Sequence, residues 1–347
     1  MKVVYITLDP LKYPRIRKHN SSIKKLDWVN FEVMIPRIRI IPRGASLPKR
    51  LLFAIVNYTT IIIQIFLIRA DIFWVANCPD ILAIPLVMRR KNYLLEYRSP
   101  WSIELEAEVG KGPLVRLAQI IEKTVLKNAL AITLTTSKLS QNVTIFHKPM
   151  FVIPNYPTKS FKARISADLF KKKNMVDNNE KIVLFVGKLS HVEGADMFPD
   201  IIKNVLNEFN CVFWIVGDGP LLPFLKKLEE KFNKKVKLFG WQPHKDIPNF
   251  INAADVCIVP RHPSKHSQFY NEENLFKLGE YMYFSKPIVA CGIAESGQYL
   301  LVNENEMGKG IIQALNGKTP ISKPKSWEEH SEKMVFKLVN WVKSNLS

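Results

Sequence analysis

The chain has 347 residues, 47% of them hydrophobic, and a formal net charge of +19. One core seldom grows to that length, so two domains are expected, and the apolar content is ample for both. Cys78, Cys211, Cys257 and Cys291 form no Cys-x-x-Cys pair, which argues against a zinc site or a disulfide scaffold and favours a reducing compartment.

Charge is spread unevenly. Residues 1–160 carry +14 and the remainder +5, so the first part favours an anionic partner: a membrane surface, a phosphorylated substrate or nucleic acid. The N-terminus is too short for a signal peptide and reads as a strand over 2–7. Residues 9–20 read as a basic loop with Arg15, Arg17 and Lys18, placed where open α/β sheets bind ligands. A second strand covers 31–35. Residues 51–68 carry no charge and are flanked by Lys49, Arg50 and Arg69. Their length reaches the lower limit for a membrane span, but Asn57, Tyr58, Thr59, Thr60 and Gln64 dilute it. A core helix, a membrane-facing helix and a span all stay open for this segment. Strands at 71–76, 93–97, 129–134 and 151–155 alternate with helices at 79–88 and 114–127. Arg98-Ser-Pro-Trp101 reads as a polar turn, and a basic, Pro-containing link covers 156–163.

The pattern then restarts. Strands at 181–187, 211–217, 236–240 and 255–260 alternate with helices at 197–209, 221–232 and 247–253, and a helix at 327–345 ends the chain. Such alternation gives parallel sheets covered by helices on both faces. The expected class is α/β, with two Rossmann-like doubly wound sheets over 1–160 and 161–325 and a terminal segment, 326–347, returning toward the first domain.

Residues 270–290 organise the second half. A polar loop enters a helix with Leu275, Leu278 and Met282 at helical spacing. Lys286-Pro287 stops the helix and a buried strand follows. A loop entering a helix offers backbone N–H groups to an anion such as phosphate. Glu272 and Glu280, eight positions apart, would lie along the same site and accept hydrogen bonds from ligand hydroxyls. Together these suit a sugar nucleotide. Glutamates on a helix are otherwise ordinary solvated residues, and the neighbouring motifs decide between the two.

Those motifs are Val186-Gly-Lys-Leu-Ser with Glu193-Gly194-Ala-Asp196, Ile215-Val-Gly-Asp-Gly-Pro220, Phe239-Gly-Trp, Asn252-Ala-Ala-Asp, Lys277-Leu-Gly-Glu-Tyr-Met282 and Ser285-Lys-Pro-Ile-Val-Ala290. Their order resembles retaining nucleotide-sugar glycosyltransferases of the GT-B fold, most of all glycosyltransferase family four, over about 180–305. The resemblance implies two domains facing across a cleft. It implies that Glu280 binds ribose hydroxyls and Glu272 the hydroxyls of the donor sugar. Gly187 and Lys188 would meet the diphosphate, and the loop at Asn274 with the backbone of Leu275 and Phe276 would face the phosphates. Trp241 and Gln242 would lie along the base. Several positions depart from the family. Glu193 stands where a second phosphate-binding lysine is usual, so Lys277, Arg261 or Lys265 must supply that charge, with Lys277 preferred. No Gly-rich loop follows the first strand. Glu96-Tyr-Arg98 replaces a histidine, and Ser285 takes the usual glycine before Lys-Pro.

The expected activity is retaining transfer of a sugar from a UDP-, GDP- or ADP-sugar to an acceptor hydroxyl, with Glu272, Lys188 and Lys277 as the catalytic residues. No cofactor or metal is expected, since the chain has no Asp-x-Asp pair. A glycan or lipid-linked acceptor at an anionic membrane face is the expected partner, for a cytoplasmic protein on the inner face of the membrane. A nucleotide-sugar epimerase of similar fold and a basic nucleic-acid-binding protein are the alternatives. The latter is disfavoured because the aromatic residues lie within apolar strands and helices.

Overall fold

The computed structural model describes residues 1–9, 11, 13–35, 47–77, 79–177, 179–320 and 322–346, with backbone alone for 47–51, 53 and 54. Pro10, Cys78 and the side chains of Lys49, Arg50 and Leu51, on which the sequence reading drew, lie outside the described residues. The chain divides into two compact units, Met1–Pro154 with Glu328–Ser347, and Asn155–Trp327.

The first unit contains β1 (Lys2–Ile6), α1 (Pro14–Ile23), β2 (Asn30–Met34), α2 (Leu47–Leu67), β3 (Ile72–Ala76) and α3 (Ile84–Met88). It continues with β4 (Tyr93–Tyr97), α4 (Trp101–Val109), α5 (Pro113–Asn128), β5 (Ala131–Leu134), α6 (Ser140–Val143) and β6 (Met150–Val152). The strands form one parallel sheet in the order β2-β1-β3-β4-β5-β6. All five residues of β3 and of β4 are buried, because helices cover both faces of such a sheet. In this order the switch point lies between β1 and β3.

Two sequence expectations fail here. The stretch expected as a basic loop is largely helix α1. Pro14 opens it, at a position where the missing N–H has no helical partner to lose. Arg15 is 1% exposed and His19 and Lys18 are buried, so only Arg17 of this group is a surface charge. The buried face of α1 is polar because Glu96, fully buried in β4, accepts from Arg15 Nε at 2.8 Å and from Arg98 Nε at 2.7 Å. Burial alone would raise the Glu96 pKa; the two arginines outweigh it and hold it well below the usual range. The second failure is α4, where Arg98–Trp101 was expected to be a turn followed by no element. Glu104, Glu106 and Glu108 alternate with apolar neighbours, a period-two pattern that hides a helix.

Helix α2 buries Ile61 and Ile65 and leaves Leu52, Ile55, Ile63, Phe66 and Leu67 exposed. It is therefore apolar on both sides. Among the described residues, no helix is long and apolar enough to cross a membrane.

The second unit contains α7 (Ala167–Lys173), β7 (Lys181–Val186), α8 (Phe198–Glu208), β8 (Cys211–Val216), α9 (Leu222–Phe232) and β9 (Val236–Gly240). Then follow α10 (Ile247–Ala253), β10 (Val256–Pro260), α11 (Phe276–Tyr283), β11 (Ile288–Cys291), β12 (Leu300–Leu301) and α12 (Met307–Leu315). Its parallel sheet runs β12-β11-β10-β7-β8-β9. Counted within the unit this is the order 3-2-1-4-5-6 read from the far edge, with the switch point between β7 and β10. Trp214, Phe250, Leu278 and Met282 pack on one face, and Phe185, Phe198, Ile258 and Ile311 on the other. Helix α12 was not legible in the sequence, because its Gly308 and Gly310 weigh against a helix. They let it lie close to the sheet: a Cβ at Gly310 would stand 2.9 Å from Val289 Cγ1.

The last helix, α13 (Glu332–Leu346), belongs to the first unit. Val335, Leu338, Val339 and Val342 are buried, and Glu332 accepts from Lys25 at 2.8 Å and from Ser22 at 2.9 Å.

Candidate active site

The carboxyl ends of β7 and β10 flank the switch point of the second unit, where doubly wound sheets bind ligands. Two glycines shape it. Gly187 follows β7, and a Cβ there would stand 2.6 Å from Lys277 Nζ. Gly194 has φ +69°, and a Cβ there would fall 1.4 Å from the Pro260 carbonyl oxygen. Only glycine fits, so the turn carrying Glu193 lies directly against the end of β10.

Three charges meet at this point. Glu193 Oε2 accepts from Lys277 Nζ at 2.5 Å, and Glu193 Oε1 pairs with Arg261. The Lys277 ammonium sits 4.6 Å from the centre of the Phe185 ring, and the Arg261 guanidinium 4.5 Å from that of Tyr270. Burial opposes ionisation of Glu193, but Lys277 and Arg261 outweigh it and lower its pKa. Burial also lowers the Lys277 pKa, against the pull of Glu193. The lysine expected to stand in for the phosphate-binding lysine missing at position 193 is thus paired with the carboxylate that occupies that position, which it shares with Arg261.

Lys188 differs. It is exposed and has no side-chain partner among the described residues. With Gly187, Gly217, Asp218, Trp241, Gln242 and His244 it lines a cavity of about 380 Å³, so four of the expected ligand residues do come together. Trp241 is 70% exposed and offers a free ring face, while Gln242 Nε2 donates to the Phe239 carbonyl at 2.7 Å.

His244, which the sequence reading passed over, joins this cavity to the acidic pair. Its ring stacks on Phe161 at 5.0 Å between centres, and its Nε2 lies 2.7 Å from Glu280 Oε1. Glu280 is 7% exposed in the second turn of α11, and Glu272 is 9% exposed in the preceding loop. Ser296 Oγ donates to Glu272 Oε1 at 3.0 Å, whereas the buried Glu272 Oε2 has no hydrogen-bond partner. An unsatisfied buried carboxylate oxygen costs free energy unless a ligand or water completes it.

The loop between them is self-supporting. Asn274 Nδ2 donates to the Phe269 carbonyl at 2.7 Å, and its Oδ1 accepts from the Asn271 amide at 3.0 Å. The Leu275 amide donates to the Asn271 carbonyl at 3.0 Å. The Asn274 side chain therefore builds the loop, and the Leu275 N–H expected to face a phosphate is taken within it. Phe276 opens α11.

In the first unit, Arg98 at the end of β4 donates to Glu96 and, through Nη2, to Tyr5 Oη at 2.8 Å, and pairs with Asp9. The nearby histidine, His19, is buried and its pKa is pushed down to about 4 by that burial. It is neutral at ordinary pH.

Two doubly wound parallel-sheet units, the second with cations and a buried glutamate pair at its switch point, define the GT-B class of glycosyltransferase fold. Residues 180–317 match the family described as "Glycosyl transferases group 1", which bears out the resemblance for the segment that carries the site. Alpha-D-kanosaminyltransferase of Streptomyces kanamyceticus is 28% identical over 134 residues, covering 38% of this chain and 32% of that protein. UDP-Gal:alpha-D-GlcNAc-diphosphoundecaprenol alpha-1,3-galactosyltransferase of Escherichia coli is 31% identical over 117 residues, covering 31% of this chain and 30% of that protein. The matched stretches thus span about a third of these relatives' length. Across the whole chain, Anabaena Alr3699/HepE in complex with UDP-glucose superposes with a TM-score of 0.63 at 14% identity, covering 100% of this chain and 99% of that one. That likeness extends the fold to both units.

Proposed function

We propose that this chain transfers a sugar from a nucleoside-diphosphate sugar to an acceptor hydroxyl, with retention of configuration and without a metal ion. The observation that carries the reading is the pair Glu272 and Glu280, one with an unpartnered buried oxygen, beside the cavity lined by Gly187 and the unpaired Lys188. Cleavage of the sugar–phosphate bond builds negative charge on the leaving diphosphate. A preorganised cation near that charge lowers the barrier. Glu272 would accept from sugar hydroxyls as the anomeric carbon becomes positive, and Glu280, with His244, would hold the ribose. The family resemblance supports front-face attack by the acceptor hydroxyl, its proton passing to the departing phosphate oxygen. Transfer should therefore survive EDTA and yield a product with the donor's anomeric configuration; strict dependence on a divalent cation or an inverted product contradicts the reading.

The acceptor side points to an anionic bilayer and a lipid-linked acceptor. Leu114, Leu117 and Ile120 of α5 are exposed at helical spacing, beside exposed Arg116 and Lys123. Helix α3, with exposed Met88 and followed by exposed Arg90 and Lys91, packs against both α5 and α2. Exposed apolar side chains ringed by cations suit an interface of acyl chains and anionic headgroups. Each basic residue there contributes about 1 kcal/mol. The acceptor named for the Escherichia coli relative is itself linked to diphosphoundecaprenol. In flotation, the protein should rise with vesicles containing anionic lipid, less so in high salt, and least when Arg90, Lys91, Arg116 and Lys123 are neutralised together. Arg15 and Lys18 are unsuitable for this test because they are buried. Failure to bind anionic vesicles at low salt would make a soluble acceptor the better reading.

A further inference from the structure

Glu193 is the most exposed member of its triad. Its side chain is 18% exposed, against 8% for Arg261 and 13% for Lys277. One carboxylate oxygen caps each cation, so an anion that binds Arg261 and Lys277 must share them with Glu193. The backbone beneath is fixed, since Gly194 seats the turn on Pro260, so the side chain alone carries the two ion pairs. Such an arrangement does two things. With the site empty, it keeps two buried cations paired and in place, which buried charges require. With an anion present, it competes for them.

We infer that Glu193 is an internal counter-anion of the diphosphate site, holding Arg261 and Lys277 ready and competing with the nucleoside diphosphate for them so that product leaves. This rests on the nucleotide-sugar reading above. The competition falls mainly on product. In the donor the outer phosphate is esterified to the sugar. In the released diphosphate it is a terminal phosphate whose second ionisation, with pKa about 6, adds negative charge at neutral pH. A site with Arg261, Lys277 and Lys188 all uncompensated would bind that more anionic product more tightly than the donor. Glu193 removes one unit of positive charge from the site, and Lys188 remains for both ligands.

The test is calorimetric titration of UDP, GDP and ADP, and of the corresponding sugar nucleotides, into wild-type protein and Glu193→Gln at low salt. The amide keeps the shape and can still bond to one cation. Glu193→Gln should bind the preferred nucleoside diphosphate about tenfold more tightly, as expected for removing one nearby like charge, and the sugar nucleotide less so. Its kcat and KM should fall together, as when release slows. A damaged site weakens binding, so tightening is the signature that a merely structural role would not give. Wild-type binding with unchanged or weaker binding by folded Glu193→Gln overturns the counter-anion role alone. If neither protein binds any nucleoside diphosphate, the nucleotide-sugar reading fails and takes this inference with it. Should Glu193→Gln not fold, Glu193→Asp withdraws the carboxylate by one methylene, and a smaller tightening is expected; its absence likewise overturns the proposal.

Discussion

Glu280→Gln should raise the donor KM at least about tenfold with little change in kcat, while Glu272→Gln should lower kcat about a hundredfold with little change in KM. The two carboxylates are alike in burial, at 7% and 9% exposure, so the difference is one of timing. A ribose contact from Glu280 exists in the bound substrate and in the transition state alike, and losing it removes uniform binding. A hydrogen bond to a charged group contributes roughly 1.5–3 kcal/mol, which is about ten- to a hundredfold. Glu272 would face a sugar that becomes positively charged only as the bond to phosphate breaks, so its charge acts mainly on turnover. The unpartnered Glu272 Oε2 is the atom expected to make that contact. Steady-state kinetics with the true donor separates the outcomes; wild-type turnover in both variants would remove the pair from the site.

Lys188→Ala should lower kcat/KM by roughly 2–4 kcal/mol of transition-state stabilisation, comparable to losing one preorganised oxyanion donor, without loss of fold, since Lys188 is exposed and holds no side-chain partner among the described residues. Lys277→Ala should differ in kind. Its side chain is 13% exposed and bonded to Glu193, and without it Glu193 keeps Arg261 as its one cation, so part of a buried ion-pair network is lost. Activity and melting temperature should fall together. Adding Glu193→Gln to Lys277→Ala should lower the melting temperature further and leave turnover low, because Arg261 then stays buried without a carboxylate partner. If Lys277→Ala is active and only Arg261→Ala is not, Arg261 is the cation that meets the phosphate.

Apart from the two-residue edge strand β12, the sheets were legible because their strands are continuous apolar runs between turn signals; the expected bounds 93–97 are those of β4. Helix α1 was not, because its buried face consists of Arg15, Lys18, His19 and Ser22 beside two isoleucines, and hydrophobic periodicity cannot report a face satisfied by Glu96 from another strand. At the candidate site, the order of short motifs singles out Gly187, Lys188, Glu272 and Glu280. The Glu193 triad was not legible. Its partners lie 68 and 84 residues away, and only the strand order of the second unit brings β7, β10 and α11 together. His244 was hidden for the same reason, 36 residues from Glu280. Ser285, which takes the place of a usual glycine, adopts φ +52°, a left-handed conformation that costs a β-carbon some strain.

The most direct test of a nucleotide-sugar site in Asn155–Trp327 is the melting temperature of the wild-type protein, Lys188→Ala and Glu280→Gln with UDP-, GDP- and ADP-sugars, each titrated to millimolar concentration. A ligand bound only by the native state stabilises it by mass action, about 2.7 kcal/mol at a hundred times Kd. One of the three donors should raise the wild-type melting temperature by several degrees in the presence of EDTA, with the shift reduced in both variants. No shift with any donor, or an equal shift in wild type and both variants, would contradict the site.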